Sequence, residues 1–177
     1  IIIIDKRFIS DRVSQLRNWN MDFIHGDILN KDLDKELFKD VDIVHHLAGV
    51  TDVPRTVSES TKSKDEKIKL VAEEGTQNIL NSIKDTCKII FPSTHVVYEG
   101  IDKVKTDISE DEVTKPVLSY SSSKAKNEKQ LKDSGKNYII LRLGSVYGYS
   151  LDSMRIDIMP NLFSKISSQN GTLKLFA

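Results

Sequence analysis

Short apolar runs alternate with stretches of helical spacing, and this alternation limits what the chain can fold into more than any other feature. Residues 1–4, 43–47, 88–91 and 138–141, with 22–25 as a shorter fifth, are rich in isoleucine and valine and barely alternate with polar residues. A strand covered on one face alternates, whereas a strand covered on both faces reads as a continuous apolar run. Residues 31–38, 66–83 and 121–131 have helical spacing between these runs. In the second of them Ile68, Val71, Ile79 and Ile83 share a face flanked by Leu70 and Leu80, while Lys31-Asp32-Leu33-Asp34-Lys35-Glu36 reads as a solvated helix face with Asn30 as its cap. Strand and helix in alternation predict an α/β chain built on a doubly wound parallel sheet.

Bulk properties narrow the partners. At 177 residues, with 38% hydrophobic and 29% charged residues, the chain has the makeup of an ordinary globular domain. Its 26 basic and 26 acidic residues cancel, so neither a nucleic-acid footprint nor a polybasic membrane patch is expected. No apolar run approaches the ~18 to 20 residues of a membrane-spanning helix, and the opening isoleucines are too short for a signal-peptide core. Cys87 is the single cysteine, which excludes an intrachain disulfide, fits a reducing cytoplasm and reads as a half-buried structural thiol. His45 and His46 find no third ligand at a metal-like spacing, so no metal site is expected. The polar stretches 51–65 and 100–116 read as loops, the first of them alternatively as a ragged helix start.

The chemistry is concentrated in Tyr120-Ser121-Ser122-Ser123-Lys124. Tyrosine and lysine four residues apart lie on one face of a helix. A phenol titrates near pH 10 in water, and an ammonium one turn away stabilises its anion, which makes such a pair usable for proton transfer. Ser93 and Thr94 follow the apolar run 88–91 and offer a hydroxyl partner. As plain strand-end residues they would instead satisfy local backbone groups.

Further landmarks surround this group in order: Ile1-Ile2-Ile3-Ile4-Asp5, Gly26-Asp27-Ile28, His46-Leu47-Ala48-Gly49, Gly75-Thr76, Ser93-Thr94, Tyr120 to Lys124, and Leu141-Arg142-Leu143-Gly144-Ser145-Val146-Tyr147-Gly148. With these the chain resembles the extended short-chain dehydrogenase/reductase family, the NAD-dependent epimerases and dehydratases that modify nucleotide sugars. The resemblance covers nearly the whole chain. It implies a Rossmann-like fold, NAD as cofactor in preference to NADP, a nucleotide-sugar substrate and a catalytic group of Thr94, Tyr120 and Lys124. Thr94 is preferred to Ser93 because the family's hydroxyl lies three residues before the valine of a Val-Tyr pair, here Val97-Tyr98.

The cofactor residues implied in the same way are Asp5 for the adenosine ribose, Asp27 and Ile28 for the adenine edge, Leu47, Ala48 and Gly49 for close backbone approach, and Tyr120 and Lys124 for the nicotinamide ribose. Asp5 as a plain strand-terminating aspartate, Asp27 as a helix cap and Leu47-Ala48-Gly49 as a simple tight turn are the alternatives. Arg7, two residues after Asp5, would accommodate a 2′-phosphate. Two helices, containing 66–83 and 121–131, pair across a homodimer in relatives, which implies the same here.

Departures from the family pattern are as informative as the matches. Ala72 and Ser145 stand where asparagines are common, and Glu99 is inserted between Tyr98 and Gly100. No Gly-x-Gly-x-x-Gly turn occurs. Residues 1–4 therefore read as the fold's second strand, with a first βα unit of ~30 residues expected upstream. Residues 171–177 read as a strand that stops where the family's substrate-binding part would begin to be completed. The expected organisation is a partial dinucleotide-binding domain over 1–150 and the start of a substrate-binding region over 151–177, a fragment expected to fold poorly and bind cofactor weakly by itself.

Within the family, dehydratases carry an acidic pair directly after the catalytic threonine, and this chain has His95 and Val96 there. That favours a nucleotide-sugar epimerase, with a reductase, dehydrogenase or dehydratase of the same family as alternatives. A non-catalytic cofactor-binding protein is the reading from another class.

Overall fold

The computed structural model describes the chain except for residues 32–34, 51, 52, 55, 150–154 and 175–177. Its elements are β1 (Ile2–Asp5), α1 (Ser10–Asn18), β2 (Asp22–His25), β3 (Ile43–His45), α2 (Lys62–Ser82), β4 (Lys88–Thr94), α3 (Ser119–Asp133), β5 (Asn137–Leu143) and α4 (Met159–Ser168). Short 3-10 turns lie at Lys35–Phe38, Val57–Glu59 and His95–Tyr98.

Each apolar run becomes a strand. β1 and β2 pair in parallel with Ile4 opposite Ile24, and β3 and β4 pair in parallel with Val44 opposite Ile89. β5 lies on the other side of β4, so the strands form a β1-β2 sheet and a β3-β4-β5 sheet. Parallel neighbours cannot be joined by a tight turn and need a crossover, which α1 supplies between β1 and β2 and α2 between β3 and β4.

The core sits where α2 and α3 cover β4. Ile89 and Phe91 of β4 are buried with Phe38, Ile79, Leu80, Ile83, Cys87 and Leu131, and Ile4, Ile28, Val44 and Ile140 pack against that cluster. Both sheets therefore contribute to one core. Cys87 is wholly buried, and that burial pushes its thiol up, as befits a structural residue. Along α2 the expected face is buried at Ile68, Val71, Ile79 and Ile83; Leu80 joins it, and Leu70 is exposed. The two main helices are bolted together by the Asn127 carboxamide, which donates to the Ala72 carbonyl (2.9 Å), and by Gln130, which donates to that of Glu73 (3.0 Å).

Several boundaries differ from the sequence reading. α2 begins inside the polar stretch 51–65, because Thr61 accepts a hydrogen bond from the Lys64 amide (3.4 Å) and caps it. Of the helical stretch 31–38 the described residues Lys35–Phe38 form a 3-10 turn; residues 32–34 lie outside the described residues, as do Leu175, Phe176 and Ala177 of the strand expected at 171–177. α1 and α4 are further elements that the sequence reading did not include; Val13 is the one buried residue of α1 and Asn161 that of α4.

The chain divides into two compact units, Ile1–Arg142 and Leu143–Ala177. Inside the second, the Asn161 carboxamide accepts from the Gly148 amide (3.2 Å) and donates to the Arg155 carbonyl (2.9 Å), tying the start of α4 to the segment before it. No described helix is long and apolar enough to cross a membrane.

Candidate active site

Helix α3 places Tyr120 in its first turn and Lys124 one turn later. The Lys124 ammonium donates to the Pro92 carbonyl of β4 (2.8 Å) and lies 4.4 Å from the centroid of the Phe91 ring and 5.9 Å from that of Tyr120. Burial against these groups lowers its pKa to about 8. Pro92 lies beyond the paired length of β3, so its missing N–H costs no bond to that strand.

The two hydroxyls at the end of β4 differ sharply. Ser93 donates to Glu128 Oε1 (2.5 Å), whose carboxylate also takes Arg142 in a fork, Nη2 to Oε2 at 2.7 Å. Arg142 further donates to the Tyr98 hydroxyl and to the Glu110 carbonyl (2.7 Å). Burial pushes the Glu128 carboxyl up, but the Arg142 and Ser93 hydrogen bonds outweigh it and hold the group below the usual carboxylate range. Ser93 is thus committed to an interior ion-pair network. Among the described residues the Thr94 hydroxyl accepts a long contact from the Val96 amide (3.4 Å), at the entry to the 3-10 turn His95–Tyr98.

His46 directly follows β3, beside this group. It is 4% exposed, its Nε2 lies 2.9 Å from the Thr76 hydroxyl, and its ring tilts against Phe91 at 5.6 Å. Burial first, and the Lys124 charge second, lower its pKa to about 4, so it is a neutral packing residue near pH 7. Among the described residues no cluster of three or more His, Cys, Asp or Glu side chains is placed to hold a metal ion.

The remaining candidates lie just past the ends of β1, β2 and β3. Asp5 closes β1; its Oδ1 accepts from the Arg7 amide (2.7 Å), and the Arg7 guanidinium approaches to 3.9 Å. The Gly26 amide donates to the Asp5 carbonyl (3.1 Å), which sets Asp27 beside it. Asp27 Oδ1 accepts from the Leu29 amide (3.0 Å), an Asx turn instead of the weighed helix cap, while its Oδ2 faces the Lys6 ammonium at 3.7 Å. Ile28 is turned inward: its carbonyl accepts from Asn78 (2.9 Å), and its side chain lies where a Cβ on Gly75 would come within 2.4 Å. Leu47, 72% exposed, and Ala48 and Gly49 form an open strand end, with no atom within 4 Å of the place a Gly49 side chain would occupy. The contacts thus gather Tyr120, Lys124 and the β4 end in one group and Asp5 with Asp27 in another.

A model of the NAD-dependent epimerase/dehydratase family matches residues 1–176. The chain belongs to this family. Among solved structures it is similar to the UDP-glucuronic acid 4-epimerase of Bacillus cereus, crystallised with UDP-glucuronic acid and NAD, at 27% identity and a TM-score of 0.73 over 99% of this chain and 57% of that one. The UDP-glucose 4-epimerase of Thermotoga maritima matches at 22% identity and a TM-score of 0.75, covering 99% and 57% of the two chains. A dTDP-glucose 4,6-dehydratase of Streptomyces venezuelae matches at 21% and 0.71, covering 99% and 55%. The last two likenesses are of fold alone. This member of the epimerase/dehydratase family spans little more than half the length of these structures, and its fold is Rossmann-like, parallel sheets with flanking helices.

Two features of this family member were not legible beforehand. Glu128 follows Lys124 by one turn on α3, and that spacing was its only sequence signal. Glu99, met in the sequence merely as an insertion, has one carboxylate oxygen that accepts from the Val117 and Leu118 amides (2.7 Å each) and from the Ser121 hydroxyl. Burial pushes the Glu99 carboxyl up, but those three hydrogen bonds outweigh it and hold the group below its ordinary value.

Proposed function

We propose that the protein is an NAD-dependent nucleotide-sugar epimerase in which Thr94, Tyr120 and Lys124 act together. The observation that carries this reading is the place of Lys124: a half-buried ammonium, over the Tyr120 ring and bonded to the β4 carbonyl two residues before Thr94. Tyr120 takes a proton from a sugar hydroxyl and returns it after the sugar has turned. The Thr94 hydroxyl hydrogen-bonds the reacting oxygen and orients it toward Tyr120. Lys124 holds positive charge beside the phenol and a donor toward the nicotinamide ribose. NAD supplies reversible hydride acceptance at the sugar carbon.

The residues present fit NAD. Gly49 leaves the β3 end open to close approach, with Leu47 and Ala48 beside it. Asp5 offers acceptors for ribose hydroxyls and repels a 2′-phosphate, and Arg7 is drawn onto that carboxylate, which supports NAD over NADP. Asp27 and Ile28 are proposed at the adenine edge. The sequence contains no Gly-x-Gly-x-x-Gly turn, and no pyrophosphate contact is assigned to these residues.

A nucleotide sugar is the proposed substrate, by likeness to the Bacillus cereus enzyme. His95 and Val96 in place of an acidic pair support epimerisation over dehydration, and the nearby Glu99 carboxylate is occupied by its three donors. A homodimer through α2 and α3 and a cytoplasmic location complete the proposal.

The test is stoichiometric. The whole protein is incubated with NAD and UDP-glucuronic acid or UDP-glucose, and products are counted per NAD. Many epimerised products per NAD, with no accumulation of NADH, is the expected result. One product per NAD consumed would mark a dehydrogenase, and loss of water from the sugar a dehydratase; either outcome contradicts the epimerase.

A further inference from the structure

We propose that Glu99 is a positioning residue that locks the tyrosine-bearing turn of α3 onto the end of β4; the inference rests on the role proposed for Tyr120. Helix α3 has Leu118 at its N-cap position, and that side chain offers no acceptor. Glu99 supplies one from 18 to 22 residues away: the Val117 and Leu118 amides, just before and at the N-cap, and the Ser121 hydroxyl of the first turn all donate to Oε1. The Leu118 amide also reaches the Ser121 hydroxyl (3.2 Å), and Ser121 reaches back to the Leu118 carbonyl (2.9 Å). Tyr120 therefore sits between two clamped positions, 118 and 121, and a carboxylate at a helix N-terminus also suits the helix dipole.

The other half of the argument is where Glu99 comes from. It directly follows the 3-10 turn His95–Tyr98 that Thr94 opens, and its own amide donates to the Val96 carbonyl (3.1 Å). The same two segments are stitched again where the Lys115 amide donates to the Val97 carbonyl and the Gly100 amide to the Lys115 carbonyl, both at 2.8 Å. Their approach is so close that a Cβ on Gly100 would lie 2.6 Å from the Lys115 oxygen. The connecting residues 101–114 run through exposed chain, tied by surface pairs such as Lys105 with Glu112 (2.9 Å). Ser109 and Glu110 are held by the Tyr98 hydroxyl (3.1 Å) and by Arg142 (2.7 Å), but neither bond reaches the first turn of α3. The Glu99 clamp does.

A plain helix cap would alter stability and leave the folded enzyme's turnover alone, so the test separates kcat from KM. In the whole protein, with NAD and whichever UDP-sugar the wild type epimerises, Glu99→Ala is expected to lower kcat about tenfold or more, with KM and NAD affinity within about twofold. Glu99→Gln keeps an acceptor oxygen and is expected to recover kcat to within about threefold of wild type. A folded Glu99→Ala protein with wild-type kcat overturns the inference, as does failure of Glu99→Gln to rescue. Should Glu99→Ala not fold, Ser121→Ala removes one of the three donors; a loss of about threefold in kcat supports the clamp, and unchanged kcat overturns it. Tyr120→Phe runs in parallel. If it is inactive while Glu99→Ala turns over normally, only the clamp fails; if it turns over, or if the wild type epimerises no UDP-sugar, the functional reading fails and the inference with it.

Discussion

His46 and Lys124 both pack against Phe91, and both are shifted by burial in ways that stability measurements can read. With its pKa lowered from 6.5 to about 4, His46 is neutral in both states above about pH 6.5. As pH falls toward 4 the unfolded chain binds a proton that the folded chain refuses, so stability present above pH 6.5 is lost, by about 3 kcal/mol near pH 4. Urea unfolding at about pH 7 and pH 4.5 should show this loss in the wild type and a smaller one in His46→Gln; equal losses would contradict it. Lys124 has the opposite timing. Its folded pKa of about 8 lies below the ordinary lysine value of 10.5, so burial of its charge is costly below about pH 8 and is relieved as pH rises. Against Lys124→Met, the wild type should gain on the order of 2 to 3 kcal/mol between about pH 8 and 10.5, and a flat difference would contradict the shift. The sequence offered His46 only as a strand residue, because nothing local shows that Thr76 and Phe91 enclose it.

Elements were legible where apolar residues cluster or recur. The isoleucine and valine runs became strands, although β4 alone among the described strands contains buried residues and Ile2, Ile43 and Leu141 stay exposed; α2 was legible because a 21-residue helix buries one stripe. α1 was not, since it buries a single residue and presents a mostly polar face; in α4 the helical spacing of Met159, Leu162, Phe163 and Ile166 is present, but the helix is short and buries only Asn161 fully. Helix ends are set by contacts distant in sequence, as the Glu99 cap shows, or by backbone such as Asn20 (φ 56°) and Gly135 (φ 69°) just past α1 and α3. Packing between elements yields its own prediction at Gly75, where α2 meets Ile28. Alanine in a helix normally gains about 1 kcal/mol over glycine, but here its Cβ would fall 2.4 Å from Ile28 Cδ1 and 2.8 Å from Cγ1. Gly75→Ala should therefore destabilise by about 1 kcal/mol net, and the same substitution in an Ile28→Ala background should turn stabilising. Thermal or urea unfolding of the four proteins decides it, and an unchanged sign would contradict the packing.

For the molecule as a whole, the candidate residues lie at the carboxyl ends of strands: Asp5 at β1, Asp27 past β2, Leu47 to Gly49 past β3, and Thr94 at β4. Open α/β sheets bind ligands at such ends. The sequence named these residues because motif spacing survives without coordinates, and helical periodicity guarantees that Tyr120 and Lys124 share a face. It could not distinguish Ser93 from Thr94 by chemistry, since the partner that occupies Ser93 is Glu128, 35 residues on. The most direct measurement is turnover of a UDP-sugar by Tyr120→Phe in the whole protein, alongside its affinity for NAD. The account predicts a loss of turnover on the order of 10²- to 10⁴-fold with NAD affinity within about threefold of wild type; wild-type turnover in that variant would contradict it.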